Sequence, residues 1–90
     1  MLYEVKYTSK ALKNLKKMDR SISGMIVAWI RKNLEMCEDP RAKGERLSAN
    51  HSGKWKYRIG EYRILAQIQD EQLIILVIEV GHRKEIYLQK

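Results

Sequence analysis

An α+β fold in the order β-α-α-β-β-β is predicted for this 90-residue chain, and three observations predict it. Residues 54–65 alternate cation with large apolar side chain, turn at Gly60-Glu61, and alternate again. Residues 11–18 and 22–37 instead carry apolar side chains at i, i+3 and i+4, the spacing of one helix face. Residues 2–7 and 73–83 add two runs of strand character, one before the helices and one after the hairpin. The expected architecture is an antiparallel meander of three strands, joined by the N-terminal strand, with a helical hairpin on one face. One domain spans residues 1–90, since no linker, repeat or low-complexity tract divides them.

Each element has a local reason. Tyr3, Val5 and Tyr7 fall on one side of the first strand. Thr8 or Ser9 suits the start of the first helix, because a hydroxyl accepts from the free N–H groups of the first turn. Its stripe is Ala11, Leu12, Leu15 and Met18. Asp19-Arg20-Ser21 makes a turn, and Ser21 or Ser23 is expected to cap a second helix. That helix carries Ile22, Met25, Ile26, Trp29, Ile30, Leu34 and Cys37, and Asp39-Pro40 is expected to stop it. Residues 41–53 read as a polar loop with Leu47 as its buried anchor. In the hairpin, Trp55, Tyr57 and Ile59 share one face while Lys54, Lys56 and Arg58 share the other. Beyond the turn, Tyr62, Ile64, Ala66 and Ile68 alternate against Arg63, Leu65, Gln67 and Gln69. Asp70-Glu71-Gln72 turns the chain into the last strand. There the more apolar set, Ile74, Leu76, Ile78 and Val80, is expected to pack inward, leaving Arg83 in register with Ile75, Val77 and Glu79.

Composition narrows the function. The chain is 44% hydrophobic and 32% charged, which is globular in character, and 18 Lys+Arg against 11 Asp+Glu give a net charge of +7. Such an excess on a small domain favours a polyanionic partner. A single cysteine rules out an internal disulfide, and with two histidines there is no metal-ligand cluster. Cys37 continues a helix stripe and reads as a structural thiol. No apolar run approaches the roughly 20 residues that span a bilayer. With no signal-peptide core at the N-terminus, the chain reads as cytoplasmic. The placement of the cations carries more information than their number. Lys54, Lys56 and Arg58, with Arg63 and Arg83, converge on the sheet face that two helices leave uncovered, a surface suited to a polyanion.

The element order, the Trp-x-Tyr-Arg-x-Gly-x-Tyr-Arg-Ile hairpin and the closing Val80-Gly81-His82-Arg83-Lys84-Glu85-Ile86-Tyr87 resemble the RelE side of the RelE/ParE toxin superfamily. The resemblance implies a RelE-like fold and the toxin of a type II toxin–antitoxin system. It implies a ribosome-dependent endoribonuclease that cleaves messenger RNA in the A site, with a RelB-like antitoxin as partner. Its catalytic set, carried over position by position, is Lys56, Arg58, Arg63, Arg83 and Tyr87. The alternative is a ParE-like toxin that shares the fold, inhibits DNA gyrase and lacks that set. The basic pair here is Lys-x-Arg, where the best-known RelE has two lysines.

The chemistry of RNA cleavage suits such residues without a metal or other cofactor. The 2′-OH is the nucleophile; the protein must accept its proton, stabilise a pentacoordinate phosphorane and protonate the leaving oxygen. Neighbouring cations disfavour a protonated lysine, which makes Lys56 a candidate base. Arg83 is a candidate donor or clamp. His82 is the chemically easier acid, although strict alternation puts it on the opposite side from Arg83. Tyr87 has two readings, a core aromatic or a platform for a base. Glu79 is expected to orient an arginine, and Trp29 and Trp55 to sit in the core. Lys10, Lys13, Lys16 and Lys17 form a solvated helix face or touch ribosomal RNA. Arg63 and Arg83 either grip one phosphate together or pair with Glu61 and Glu79.

Overall fold

The computed structural model describes residues 1–46 and 54–88, the side chains of 86–88 excepted. Its elements are β1 (Glu4–Tyr7), α1 (Ser9–Lys17), α2 (Arg20–Asn33), β2 (Glu45–Arg46), β3 (Lys54–Ile59), β4 (Tyr62–Gln69), β5 (Ile74–His82) and α3 (Arg83–Leu88). The strands form one sheet in the order β1-β5-β4-β3-β2, with β1 parallel to β5 and the other neighbours antiparallel. The predicted α+β order is present, with β2 and α3 added to it. Leu47, the expected loop anchor, lies outside the described residues.

The hairpin is tight because Gly60 sits at φ 58°, a left-handed conformation that glycine adopts without a Cβ penalty. Positive φ at the first central residue only, with Glu61 following, suits a two-residue connection whose twist matches the strands. Tyr57 lies opposite Ile64 and Arg58 opposite Arg63, so one pairing register separates an apolar face from a cationic one. Ile26, Ile30 and Leu34 of α2 are buried with Tyr57, Ile64, Ala66, Ile75 and Val77. Trp29 meets Tyr57 with ring centroids 5.9 Å apart. Both tryptophans pack against this core while remaining partly exposed. Burial raises the Tyr57 hydroxyl well above the usual phenol range, and it donates to the Pro40 carbonyl.

α1 begins where the sequence suggests. Thr8 is its N-cap; the side chain accepts from the Ala11 N–H, and the hydroxyl donates to the Ile78 carbonyl at 2.7 Å. Asn14 then accepts from the Val80 N–H at 3.0 Å, so α1 runs along β5 where β1 stops. α2 departs from expectation at both ends. Its cap is Asp19, which accepts from both the N–H and the hydroxyl of Ser21, so the carboxylate takes the role expected of Ser21 or Ser23. The helix ends at Asn33 instead of following its stripe to Cys37. Met36 turns left-handed at φ 62°, its N–H donates to the Tyr3 carbonyl, and the Tyr3 N–H donates to the Cys37 carbonyl. Pairing with the N-terminus replaces the last helical turn.

The inward set of β5 is a correction. Ile75 and Val77 are buried on the helix side, whereas Ile74, Leu76 and Ile78 are only half-buried. The register steps from Leu65↔Glu79 to Ala66↔Val77, leaving Ile78 as the extra residue of a bulge. That step moves Val80 to the buried side and carries Glu79 and Gly81 to the face of Leu65 and Arg63. Arg83 is also no longer strand, because α3 starts at it.

A polar cluster closes the end of the fold away from the hairpin turn. Arg41 donates two hydrogen bonds to Asp70, at 3.0 and 2.9 Å, and the Tyr3 hydroxyl donates a third at 2.6 Å. The Arg41 guanidinium first, and the Tyr3 hydroxyl second, hold the Asp70 carboxyl at about 2, below its ordinary 3.8. A depressed carboxyl contributes stability above its unfolded value and loses that contribution as pH falls through the folded one. Part of the stability is therefore lost from about pH 4 down to about pH 2. Asp70 is half exposed, so the share is expected to be small, about 0.2–1 kcal/mol. Thermal melts from pH 7 to pH 2 should show Asp70→Asn less stable at neutral pH and converging on the native chain in acid. Curves that stay parallel throughout would assign the acid loss elsewhere.

Candidate active site

The cationic face is built by register. Lys56 lies opposite Leu65 on one side and Glu45 on the other, and Arg58 lies opposite Arg63, which in turn faces Gly81. Lys43, Gly44, Glu45, Lys56, Arg58 and Arg63 enclose a polar cleft of about 260 Å³. Lys56 is the floor cation, its side chain 14% exposed, and its ammonium lies 3.7 Å from the Glu45 carboxylate. Arg58 is exposed at the rim. Arg63 is buried, and its Nη1 donates to the carbonyls of Gly60 and Tyr62 at 2.9 and 3.0 Å. Those bonds fix its charge beneath the hairpin.

Three predicted site residues, Lys54, His82 and Arg83, are not among those that enclose the cleft. Arg83 is paired with Glu61, Nε to Oε1 at 3.2 Å, and its backbone N–H donates to the Glu61 carbonyl at 2.8 Å. It is thus fixed at the hairpin turn and is not among the residues that enclose the cleft. The His82 ring packs edge-on to Tyr62 on the helix side of the sheet, with centroids 5.7 Å apart, and its Nδ1 accepts from the Lys84 N–H. Tyr87 lies in α3, which packs back against β4 and β5, and its side chain is outside the described residues. Lys54 begins β3 and lines a separate cavity with Arg41, Arg46 and Trp55. Glu79 pairs with Lys10 of α1 at 3.3 Å and not with an arginine. Burial, its main influence, raises the Cys37 thiol, which leaves it less thiolate and less nucleophilic.

Glu45 is the cleft carboxylate that sequence reasoning missed, with Lys43 and Gly44 beside it. It sat in a segment read as loop, yet two residues pair with β3 and aim Glu45 at Lys56. The signal was available in Gly44. A Cβ there would meet the Lys56 carbonyl oxygen and Trp55 Cδ1 at 2.5 Å, so the backbone approach that forms β2 requires glycine. Among the described residues, no cluster of three or more His, Cys, Asp or Glu is placed to hold a metal. No helix among them is long and apolar enough to cross a membrane.

The geometry and the sequence agree with what known proteins show. Residues 5–87 match the family described as the ParE toxin of type II toxin–antitoxin system, parDE. Toxin RelG of Mycobacterium tuberculosis is 31% identical, over 97% of this chain and 98% of its own. The mRNA interferase toxin RelE of Escherichia coli K12 is 30% identical, over 97% of this chain and 92% of its own. The fold superposes on the M. tuberculosis RelBE2 toxin–antitoxin complex with a TM-score of 0.82, 29% identity and coverage of 92% and 93% of the two chains. It superposes on a mutant of E. coli toxin RelE in the free state with a TM-score of 0.77, 25% identity and coverage of 99% and 94%.

The close approach at Gly44 generates a prediction. Gly44→Ala should displace β2 from β3 and carry Glu45 and Lys43 away from Lys56, with an overpacking cost of about 1–3 kcal/mol. A melting curve and a toxicity assay on the same variant should both fall. Unchanged values in both would mean that β2 yields without disturbing the cleft. With the hairpin, the cationic cleft and the match over residues 5–87 taken together, the chain belongs to the RelE/ParE superfamily of type II toxins.

Proposed function

We propose that this toxin is an endoribonuclease that cleaves messenger RNA presented in the ribosomal A site and so arrests translation. The observation that carries the reading is the cleft itself: Lys56, Arg58 and Arg63 with one carboxylate, Glu45, among them. A relative of near-equal length, 30% identical, bears the name mRNA interferase toxin RelE. The message supplies its own nucleophile in the 2′-OH. Lysine ammonium and arginine guanidinium are donors with no acceptor, so the cleft-lining group able to take the 2′-OH proton is the Glu45 carboxylate. This reading replaces Lys56 as base, because Lys56 stands as the donor partner of Glu45.

The step balances as a transesterification. Glu45 takes the 2′-OH proton, the 2′-oxygen bonds to phosphorus, and the bond from phosphorus to the 5′-oxygen breaks. The leaving oxygen takes a proton from water, and the hydroxide so formed recovers the proton from Glu45. The products are a 2′,3′-cyclic phosphate and a 5′-hydroxyl. Lys56 and Arg58 hold the phosphate, and the buried charge of Arg63 favours the extra negative charge of the phosphorane. Arg83 and Tyr87 join the site if the message displaces Arg83 from its exposed pair with Glu61.

Single-turnover cleavage on programmed ribosomes tests the reading. Glu45→Gln should slow cleavage about 10²–10⁴-fold while leaving binding near its native value, and should remove the acid limb of the pH–rate profile. Arg58→Ala should lower the rate about 10²–10³-fold. A native-like rate and profile in Glu45→Gln would return the base to Lys56. The family description names ParE, which favours a second reading, inhibition of DNA gyrase. Supercoiling inhibited by a protein that leaves programmed ribosomes uncut would establish it.

The proposed partner is a RelB-like antitoxin, since related toxins were solved as complexes with RelB. Between α1 and α2 lies an apolar groove of about 800 Å³, lined by Leu12, Leu15, Met18 and Val27 and edged by Lys13, Lys16 and Arg20. Leu12 is half exposed there. An amphipathic helix with acidic flanks fits such a surface. Leu12→Glu should then reduce co-purification with the antitoxin at unchanged thermal stability, and full retention would place the contact elsewhere.

A further inference from the structure

A second cavity lies at the same end of β3, on the other side of the β2 edge. Arg41, Arg46, Lys54 and Trp55 line about 350 Å³ there. Register explains the split: Glu45 faces Lys56 and the cleft, while Arg46 faces Trp55. One two-residue strand therefore separates two cation-lined hollows.

This second hollow differs from the first in having an aromatic layer and, among the described residues, no carboxylate lining it. The Arg41 guanidinium lies over the Trp55 ring, 5.8 Å from its centroid. Its position is not left to chance, because both of its terminal nitrogens are held by Asp70. Gly44 lies against the indole edge, leaving no room for a Cβ beside Trp55 Cδ1 and Nε1. Trp55 Nε1 is buried with no hydrogen-bond partner. Arg46 and Lys54 make no side-chain ion pair among the described residues. A guanidinium over an indole, beside two cations with no ion pair among the described residues, matches what a single-stranded nucleotide offers, a π-face and a phosphate.

We propose that Arg41, Arg46, Lys54 and Trp55 form a second RNA subsite that holds one nucleotide of a single strand outside the cleft. The inference rests on the reading of RNA as substrate. The base lies on the Arg41–Trp55 layer, and Arg46 and Lys54 take the phosphate. Lys54 and Lys56 stand two residues apart on one strand, about 7 Å along it. A strand of RNA crossing the β2 edge thus meets both hollows in succession. Binding here adds affinity and sets the register of the message; it does not take part in bond breaking.

The indole reports on its own site. A single-stranded RNA oligonucleotide whose scissile 2′-OH is replaced by 2′-O-methyl should quench tryptophan fluorescence in the native chain and not in Trp55→Phe. Arg46→Ala and Lys54→Ala, at exposed and half-exposed positions, should each weaken binding several-fold and together about tenfold or more. Each should also reduce the salt slope of the affinity by about 0.7. The kcat for cleavage on programmed ribosomes should stay near native in Arg46→Ala, with the apparent KM raised. Quenching that persists in Trp55→Phe, or affinity and salt slope unchanged in the double variant, would overturn the subsite while leaving the nuclease reading intact. A native chain that neither binds the oligonucleotide nor cuts message would overturn both. A 4-thiouridine placed beside the cleaved codon separates the two sources of the nucleotide. Its cross-link to the Arg46–Trp55 edge assigns flanking message, and a cross-link from ribosomal RNA to that edge assigns the ribosome.

Discussion

The pairing of β3 with β4 is the constraint on which the rest of the molecule depends. Tyr57 against Ile64 and Trp55 against Ala66 turn toward α2, and the same register turns Lys56, Arg58 and Arg63 away from it. Side chains in a strand alternate with period two, so a slip of one residue would drive three cations into the core and expose Tyr57. Burial of the apolar face therefore specifies the charged face. Gly60 fixes the register at the turn, and Arg63 reinforces it by donating to the Gly60 and Tyr62 carbonyls. The same arginine thus secures the hairpin and charges the cleft floor, which links the site's electrostatics directly to strand pairing.

The bulge at Ile78 is the second device that shapes the face. Without it, β5 would present Val80 outward on the cleft side, or turn Glu79 into the core. With it, Ile75, Val77 and Val80 all reach the core, and Gly81 lies opposite Arg63. Glu79 is buried on the cleft side of the sheet instead of among the apolar side chains, and Lys10 of α1 reaches it there. One helix lysine thus neutralises a carboxylate that would otherwise oppose an anionic ligand on that face.

Much of this was legible in the sequence, and the losses have physical causes. The alternation of 54–65 carries both the hairpin and the cation face, because a half-buried strand writes its environment into every second residue. The stripes of α1 and α2 are read less cleanly, since Leu12 and Met25 within them are exposed. The bulge was invisible, since Ile74 to Val80 is apolar on both faces and either alternation satisfies it. β2 was missed because two paired residues make no period; only Gly44 hinted at a close backbone approach. Glu45 went with it. The end of α2 was set by Tyr3, a partner far away in sequence, and the step from strand to helix at Arg83 by Glu61. Long-range pairings of that kind leave no local signature.

The parallel pairing of β1 with β5 has a consequence for how the chain is made. Glu4 to Tyr7 can take their place only beside Ile74 to Val77, nearly the whole length of the chain later. Tyr3 likewise waits for Asp70, and Thr8 for the Ile78 carbonyl. Closing so long a loop is slow relative to local contacts. During synthesis the first strand emerges early and stays unpartnered until the last strand has been translated. The sheet that supports the cleft therefore closes only once Ile74 to His82 have been made. A partial product that stops short of β5 leaves β1 without its partner and the sheet beneath the cleft incomplete.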